Sequence, residues 1–248
     1  MSPHRIVTVP ILPRGMVNSF LLIGERPVVV DTGVPGSAPK VLAALAREGF
    51  APSDVSLILI THRHVDHIGS TAAVKRATGA PVAVHARDAE WLRRGNGGTR
   101  PPTGWGGRLL DLTGLPSQRA EPCAPDLVID RDFALGPYGV DGGTVLHTPG
   151  HTPGSVSAIF PNGDVLAGDL VIGGISVLGG VVRLGHARKP PFEDDAAAVR
   201  QSLTDLLDRG ANRFFVGHGG PLTASAVRRY IAGEPRFGVS GATSTSVA

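Results

Sequence analysis

The densest group of reactive side chains lies in 60-ITHRHVDHIGS-70, where His62, His64, Asp66 and His67 fall within six residues. Neutral imidazole is a ready ligand for zinc, and carboxylate serves zinc, manganese or iron. In an extended stretch His62 and His64 point the same way, because the side-chain period is two. Asp66 and His67, past a bend, point to a second position nearby. The pattern therefore suits two metals with two ligands each, and a merely solvated histidine-rich turn explains that spacing poorly. Each ion needs further donors. His151 in 147-HTPGHTPGS-155, Asp169 in 167-AGD-169 and His218 in 216-VGHGG-220 sit at or beside expected strand ends. Glycines next to them allow the backbone to turn sharply. The remaining histidines, His4, His85, His147 and His186, read as structural, with His147 placed to support the site by hydrogen bonding.

Such a cluster must be presented by rigid elements. The run 55-VSLILI-60 is apolar throughout, as a strand covered on both faces should be, and the cluster follows its C-terminal end. Short β-branched segments at 5–12, 17–23 and 27–31 precede it. Between them and 55–60, Val41, Leu42, Leu45 and Ala46 form a helical stripe that Ser37 can cap and Gly49 ends. Helices are expected at about 70–78 and 87–94, with a strand at 81–85 between them. Residues 95–125 are rich in Gly and Pro; a loop of that length is functional or mobile, and Trp105, Leu109, Leu110 and Leu112 suit a short helix or lid within it. Strands resume at 126–129, 143–147, 155–160 and 164–168, the last two joined by the hairpin signal 161-PNGD-164. A further loop spans 173–190, then a helix at 193–209, a strand at 212–216 and a helix at 222–232. The order strand, Asp, helix, strand, His occurs twice, in 27–62 and in 164–218. It places His62, Asp169 and His218 on one edge of the sheets.

The chain has 248 residues, 42% hydrophobic and 18% charged, which describes a soluble globular protein of one large domain over 1–235 with a small polar tail, 236–248, expected to be disordered. A net charge of +3 without a Lys/Arg run gives no reason to expect nucleic-acid binding. No apolar stretch approaches ~18 residues, so no membrane association is expected. Pro10 and Pro13 interrupt the apolar residues of the N-terminus, which lacks a signal-peptide region, so the expected compartment is the cytoplasm. The single cysteine, Cys123, excludes an intrachain disulfide and has no evident catalytic partner. No G-x-S-x-G nucleophile elbow is present.

Five pieces in order, 29-VVDTG-33, 61-THRHVDHIGS-70, 148-TPGHTPGS-155, 167-AGD-169 and 216-VGHG-219, resemble the metallo-β-lactamase-fold hydrolases, and among them the glyoxalase II-like members. The resemblance implies an αββα sandwich of two mixed sheets with helices outside and a metal groove at one edge. It implies that one metal takes His62, His64 and His151, the other Asp66, His67 and His218, and that Asp169 bridges them. Asp31 resembles the family's buried aspartate beneath the site. Zinc, two per chain, is the default, though iron or manganese suits the same donors. Two zincs roughly 3.5–4 Å apart would hold a hydroxide that attacks a carbonyl, with Asp66 orienting it. The expected substrate is a small molecule: an ester, thioester such as hydroxyacyl-glutathione, or lactone, with a β-lactam as the alternative. The 30 residues after His218 do not suffice for the helical glutathione domain of the longer glyoxalase II type. A mono-iron persulfide oxygenase needs only part of this donor set, and a non-catalytic metal protein would be expected to lack part of it. A homodimer is compatible with the resemblance. The substrate wall is expected from 95–125 and 173–190. There Trp91, Trp105, Leu109 and Leu110 either face an acyl chain or form local core. Arg183, Arg188 and Lys189 either hold a substrate carboxylate or lie solvated.

Overall fold

The computed structural model describes residues 4–98, 101–114, 117–177, 180–182 and 185–233. The tail 236–248 and Arg183 lie outside the described residues.

The first half of the chain runs β1 (Arg5–Leu12), β2 (Val17–Ile23), β3 (Val28–Val30), α1 (Ala38–Arg47), β4 (Leu57–Leu59), α2 (Val65–Ile68), α3 (Thr71–Thr78), β5 (Val82–His85), α4 (Ala89–Arg94), α5 (Gly104–Leu112) and β6 (Leu127–Ile129). The second runs β7 (Phe133–Ala134), β8 (Thr144–His147), β9 (Val156–Ile159), β10 (Asp164–Leu166), β11 (Ile175–Val177), β12 (Gly180–Val182), α6 (Ala196–Asp208), β13 (Arg213–Phe215), β14 (Leu222–Thr223) and α7 (Ala224–Ala232). Six strands form one sheet in the order β1-β2-β3-β4-β5-β6, and six form another in the order β14-β13-β10-β9-β8-β7.

Period-two alternation sorts the apolar residues into three layers of core. Leu57 and Leu59 face the second sheet, whereas Ile58 and Ile60 face the helices. Val28 and Val30 likewise point between the sheets, and Val29 points outward. In the second sheet Leu166 and Phe215 enter the inter-sheet core, while Val165, Phe214 and Val216 pack under α6 and α7 through Val199, Leu203, Leu206 and Val227. On the opposite flank Val41 and Leu45 of α1, Val74 of α3 and Leu92 of α4 cover the first sheet. The result is four layers, αββα, with two mixed sheets at the centre, as the resemblance implied.

The repeated strand–Asp–helix–strand–His order has a topological counterpart. β3 pairs parallel with β4, and β10 pairs parallel with β13. A parallel pair delivers both C-terminal ends to one edge, so Asp31 and His62 emerge together, as do Asp169 and His218. The hairpin at 161–164 forms as expected: Phe160 N–H donates to Asp164 O (3.0 Å), and Gly163 adopts φ +82°. Asp195 caps α6 by accepting from the amides of Ala197 (2.9 Å) and Ala198 (3.0 Å). Ser37 precedes α1 but makes no side-chain cap, and its own amide donates to Ser70 Oγ at 2.7 Å. Tertiary docking of the 31–37 loop thus overrides the local signal. The 173–190 stretch holds the hairpin β11–β12, which strands of three residues do not betray in a sequence. Among the described residues no helix is long and apolar enough to cross a membrane.

Candidate metal centre

The bend after β4 is tighter than an extended turn. His64 stands in extended conformation at the N-cap of the single-turn helix α2, and α2 itself carries Asp66 and His67. This sets Asp66 and His67 beyond His62, whose ring centroid stays 4.0 Å from that of His67. His151 arrives on the β8–β9 loop, Asp169 from the end of β10 and His218 from the end of β13. The structure brings all seven together. His151 Nε2 lies 3.1 Å from His62 Nε2 and 2.9 Å from His64 Nδ1. Asp169 Oδ2 lies 2.9 Å from His218 Nε2, 3.5 Å from His67 Nε2, 3.7 Å from His151 Nε2 and 3.9 Å from His62 Nε2. Asp66 Oδ2 lies 3.3 Å from His218 Nε2 and 3.9 Å from His67 Nε2. Three sets of donors converge within 4.8 Å: His62, His64 and His151; His62, His67 and Asp169; and Asp66, His67 and His218.

Neighbouring groups fix the tautomers. Thr61 Oγ1 has one proton, and Asp31 Oδ2 at 2.7 Å takes it. Facing His62 Nδ1 at 3.0 Å, Thr61 Oγ1 must then accept, so His62 carries its proton on Nδ1 and turns the lone pair of Nε2 into the cluster. Asp31 also accepts from His67 Nδ1 (2.8 Å) and from the Thr61 amide (2.8 Å). It holds φ +57°, a conformation that non-glycine residues seldom adopt, at the point where its carboxylate must reach all three donors. His218 Nδ1 donates to the Met16 carbonyl. Asn18 Nδ2 donates to Val216 O (3.2 Å) and Gly219 O (3.0 Å), which braces the loop carrying His218. Gly217 makes that approach possible, since a Cβ there would stand 2.2 Å from Asp169 Oδ1. His147 Nε2 meets the Pro153 carbonyl at 2.9 Å and its ring stacks on His85 at 4.0 Å, so it supports the His151 loop.

Two electrostatic environments adjoin. Burial holds His62 and His64 well below the ordinary imidazole value and takes His151 down to about 4, so these three are neutral. For His67 burial acts the same way but is outweighed by Asp169, Asp31 and Asp66, and its pKa rises well above normal. For His218 burial is likewise outweighed, by Asp169 and Asp66, and the pKa is pushed up to about 10.

A cation fits this arrangement. Zinc–nitrogen bonds of 2.0–2.1 Å place tetrahedral donors roughly 3.3 Å apart, close to the His62, His64 and His151 spacings. Three neutral imidazoles directing ring nitrogens at one point lack enough protons to satisfy one another. His67 Nε2, which faces Asp66 and Asp169 in the cluster, is buried without a hydrogen-bond partner among the described residues. Metal binding must displace the protons of His67 and His218. Loading the metal-free protein at pH 7 is therefore expected to release protons, and the release should fade as pH approaches 10. Calorimetry in buffers of differing ionisation enthalpy measures it; buffer-independent heats at pH 7 would contradict it. The linkage sign follows. Raised folded-state values stabilise the metal-free protein fully below about pH 6.5, and His218's share is lost as pH rises toward about 10.

Sequence reasoning missed the group that holds the two ligand loops together. Asp88, fully buried before α4, accepts from the Arg63 amide (2.9 Å), Thr152 Oγ1 (2.6 Å) and the Gly154 amide (3.1 Å). Arg63, between His62 and His64, is buried on the side away from the cluster, where it bonds Asp194 Oδ2 at 2.8 Å and Gly97 O at 3.0 Å and lies over Trp91. The one available signal was the alternation itself: a residue between two inward histidines points the opposite way, and α4 covers that side. Cys123 is buried, and that burial raises its thiol pKa and disfavours the thiolate.

The Metallo-beta-lactamase superfamily profile matches residues 12–218. A probable metallo-hydrolase of Methanocaldococcus jannaschii is 27% identical over 207 residues, covering 82% of this chain and 87% of that protein. A hydroxyacylglutathione hydrolase of Cereibacter sphaeroides is 34% identical over 209 residues, covering 82% of this chain and 62% of that protein. Among solved structures, a metallo-beta-lactamase family protein from Thermus thermophilus superposes with a TM-score of 0.63 at 27% identity, covering 92% of this chain and 78% of that one.

Proposed function

Since the chain belongs to the metallo-beta-lactamase superfamily and is a metallo-hydrolase by that membership, we propose that it hydrolyses an ester, thioester or lactone of a small molecule with two zinc ions. The observation that carries this reading is the convergence of seven buried or half-buried donors in three sets, the middle one, His62, His67 and Asp169, sharing His62 with one neighbour and His67 with the other. One ion would be held by His62, His64 and His151, the other by Asp66, His67 and His218, with Asp169 between them. When bound, such ions supply Lewis acidity for a carbonyl oxygen and a nucleophile from water near neutral pH.

The chain's own residues do the rest. Asp31 keeps the Nδ1 proton of His67, and Thr61 that of His62, so the opposite nitrogens stay free to ligate. Met16 O does the same for His218. Asp66 is the most exposed of the three clustered carboxylates, its side chain 30% accessible against 4% for Asp169 and 1% for Asp31. It faces the cavity and is placed to orient the attacking water and accept its proton. In the overall reaction a carbon–oxygen bond forms from water, the acyl carbon–oxygen or carbon–sulfur bond breaks, and the proton passes to the leaving alcohol or thiol. The likeness to a hydroxyacylglutathione hydrolase supports a thioester as one member of the class.

Elemental analysis of the purified protein together with a thioester and lactone panel tests the proposal. About two zinc ions per chain and turnover lost on chelation and restored by zinc are expected. A single iron per chain, or a metal-loaded protein inert toward the whole panel, would overturn it.

A further inference from the structure

The donors open onto a cavity of about 250 Å³, below the roughly 300–1,000 Å³ of a drug-sized ligand site. Apart from the histidines and carboxylates of the cluster, its walls are apolar: Leu12, Val34, Val65, Leu110, Ile172 and Phe192. Among the described lining residues there is no Lys or Arg, and Gln118 is the one polar side chain outside the cluster. Of the cations expected to approach a substrate, Arg183 lies outside the described residues and Lys189 faces away from the cavity. Lys189 pairs with Glu193 at 3.0 Å and lines a separate cleft with Arg200 and Arg229. Arg188 is held beside Ile172 by two backbone hydrogen bonds of 2.9 Å, and it is not among the residues that line the cavity.

The wall is built, not incidental. Thr103 N–H donates to Pro191 O at 2.7 Å, and Glu193 N–H to Pro101 O at 3.1 Å. Gly107 of α5 sits so close that a Cβ there would lie 2.2 Å from Pro191 O. The helix carrying Leu110 and the segment carrying Phe192 are thereby joined as one unit over the cluster. Trp105 and Leu109, on the outer side of α5, are exposed, and Trp91 lies against Arg63 and Arg94, so of the four residues expected to face an acyl chain only Leu110 lines the cavity.

Building on the hydrolase reading, we propose that the substrate's acyl part is a short, uncharged alkyl chain. It is seated against Leu110, Ile172 and Phe192 with its carbonyl turned to the histidine–carboxylate cluster. A chain ending in a carboxylate would lose its hydration here without gaining a counter-charge, and so is selected against. Leu110 and Phe192 are specificity-determining residues for chain length.

Binding of N-methyl alkanamides of four to eight carbons to the metal-loaded protein, measured by titration calorimetry, tests this apart from turnover. Affinity should rise about fourfold per methylene, the factor expected for burying one, until the cavity is full. Leu110, half-buried on α5, tolerates a polar replacement, and Leu110→Asn should flatten the rise, binding the octanoyl member roughly tenfold more weakly. Affinity independent of length, no binding of the octanoyl member, or tighter binding of ω-carboxylated analogues would overturn the inference. The two readings separate cleanly. Esters hydrolysed equally at every chain length refute the acyl pocket and leave the hydrolase; length-dependent amide binding without hydrolysis of any ester or thioester does the reverse.

Discussion

An Asp169→Ala variant is expected to lose metal-dependent turnover by about a thousandfold or more, and with it the stabilisation that metal confers. Asp169 Oδ2 faces His62, His67, His151 and His218, all within 3.9 Å, and its second oxygen is buried without a partner. Among the described residues no other carboxylate pairs within 4 Å with histidines of both outer sets. Its removal takes away the largest favourable influence on His67 and His218 as cations, and leaves a methyl group where a charge is required. A metal's stabilisation of developing charge is worth several kcal/mol, and each ~1.36 kcal/mol is tenfold in rate, which sets the expected loss. Metal present at a hundred times its dissociation constant should stabilise the parent by about 2.7 kcal/mol, and the variant by little or nothing. Paired thermal unfolding with and without zinc, beside kcat/KM, measures both. A variant that retains turnover within tenfold and an undiminished metal-induced rise in Tm would show that Asp169 is not a metal ligand.

Asp88→Ala should cost about 3 kcal/mol of stability, the upper end of the range for leaving buried donors without their acceptor. Arg63 would retain Asp194 and Gly97 O but lose the carboxylate at its amide and guanidinium, and Thr152 and Gly154 would lose their acceptor. Asn is a poor substitute. Both oxygens of Asp88 accept from donors, so a side-chain NH2 would confront an N–H whichever way it turned. The effect should reach the metal, because Asp88 ties the loop of His151 to the strand end bearing His62 and His64. Metal affinity is expected to drop about 10–100-fold in Asp88→Asn, the range for groups that orient ligands. Urea unfolding and competitive zinc titration check the two parts. Unchanged metal affinity in a folded Asp88→Asn protein would reduce Asp88 to a purely structural role.

The seven clustered donors were legible because coordination chemistry restricts both residue type and spacing, and because each stands beside a strand end or glycine that a local pattern reveals. The continuous apolar run of 55–60 likewise announced a strand covered on both sides, and Leu57 and Ile58 do face opposite cores. The repeated strand–Asp–helix–strand–His order even placed His62, Asp169 and His218 on one edge, since parallel pairing of β3 with β4 and of β10 with β13 leaves their C-terminal ends no other place. Local chemistry did not reveal what arises between distant segments. Ser37 has the right residue type for a cap, yet its loop is captured by Ser70. Trp105 and Leu110 look equivalent in sequence, and only the docking of α5 on Pro191 turns Leu110 to the cavity and Trp105 to solvent. Asp88 is one acidic residue among many until the fold sets it between Arg63, Thr152 and Gly154. The sequence by itself determined the donor set and the strand ends that bear it, because these follow from local periodicity and ligand chemistry, and the resemblance carried by its motifs implied the two-sheet sandwich. Only the tertiary structure decided which groups orient the ligands and which side chains line the cavity, because those contacts join residues tens of positions apart whose pairing no local pattern encodes.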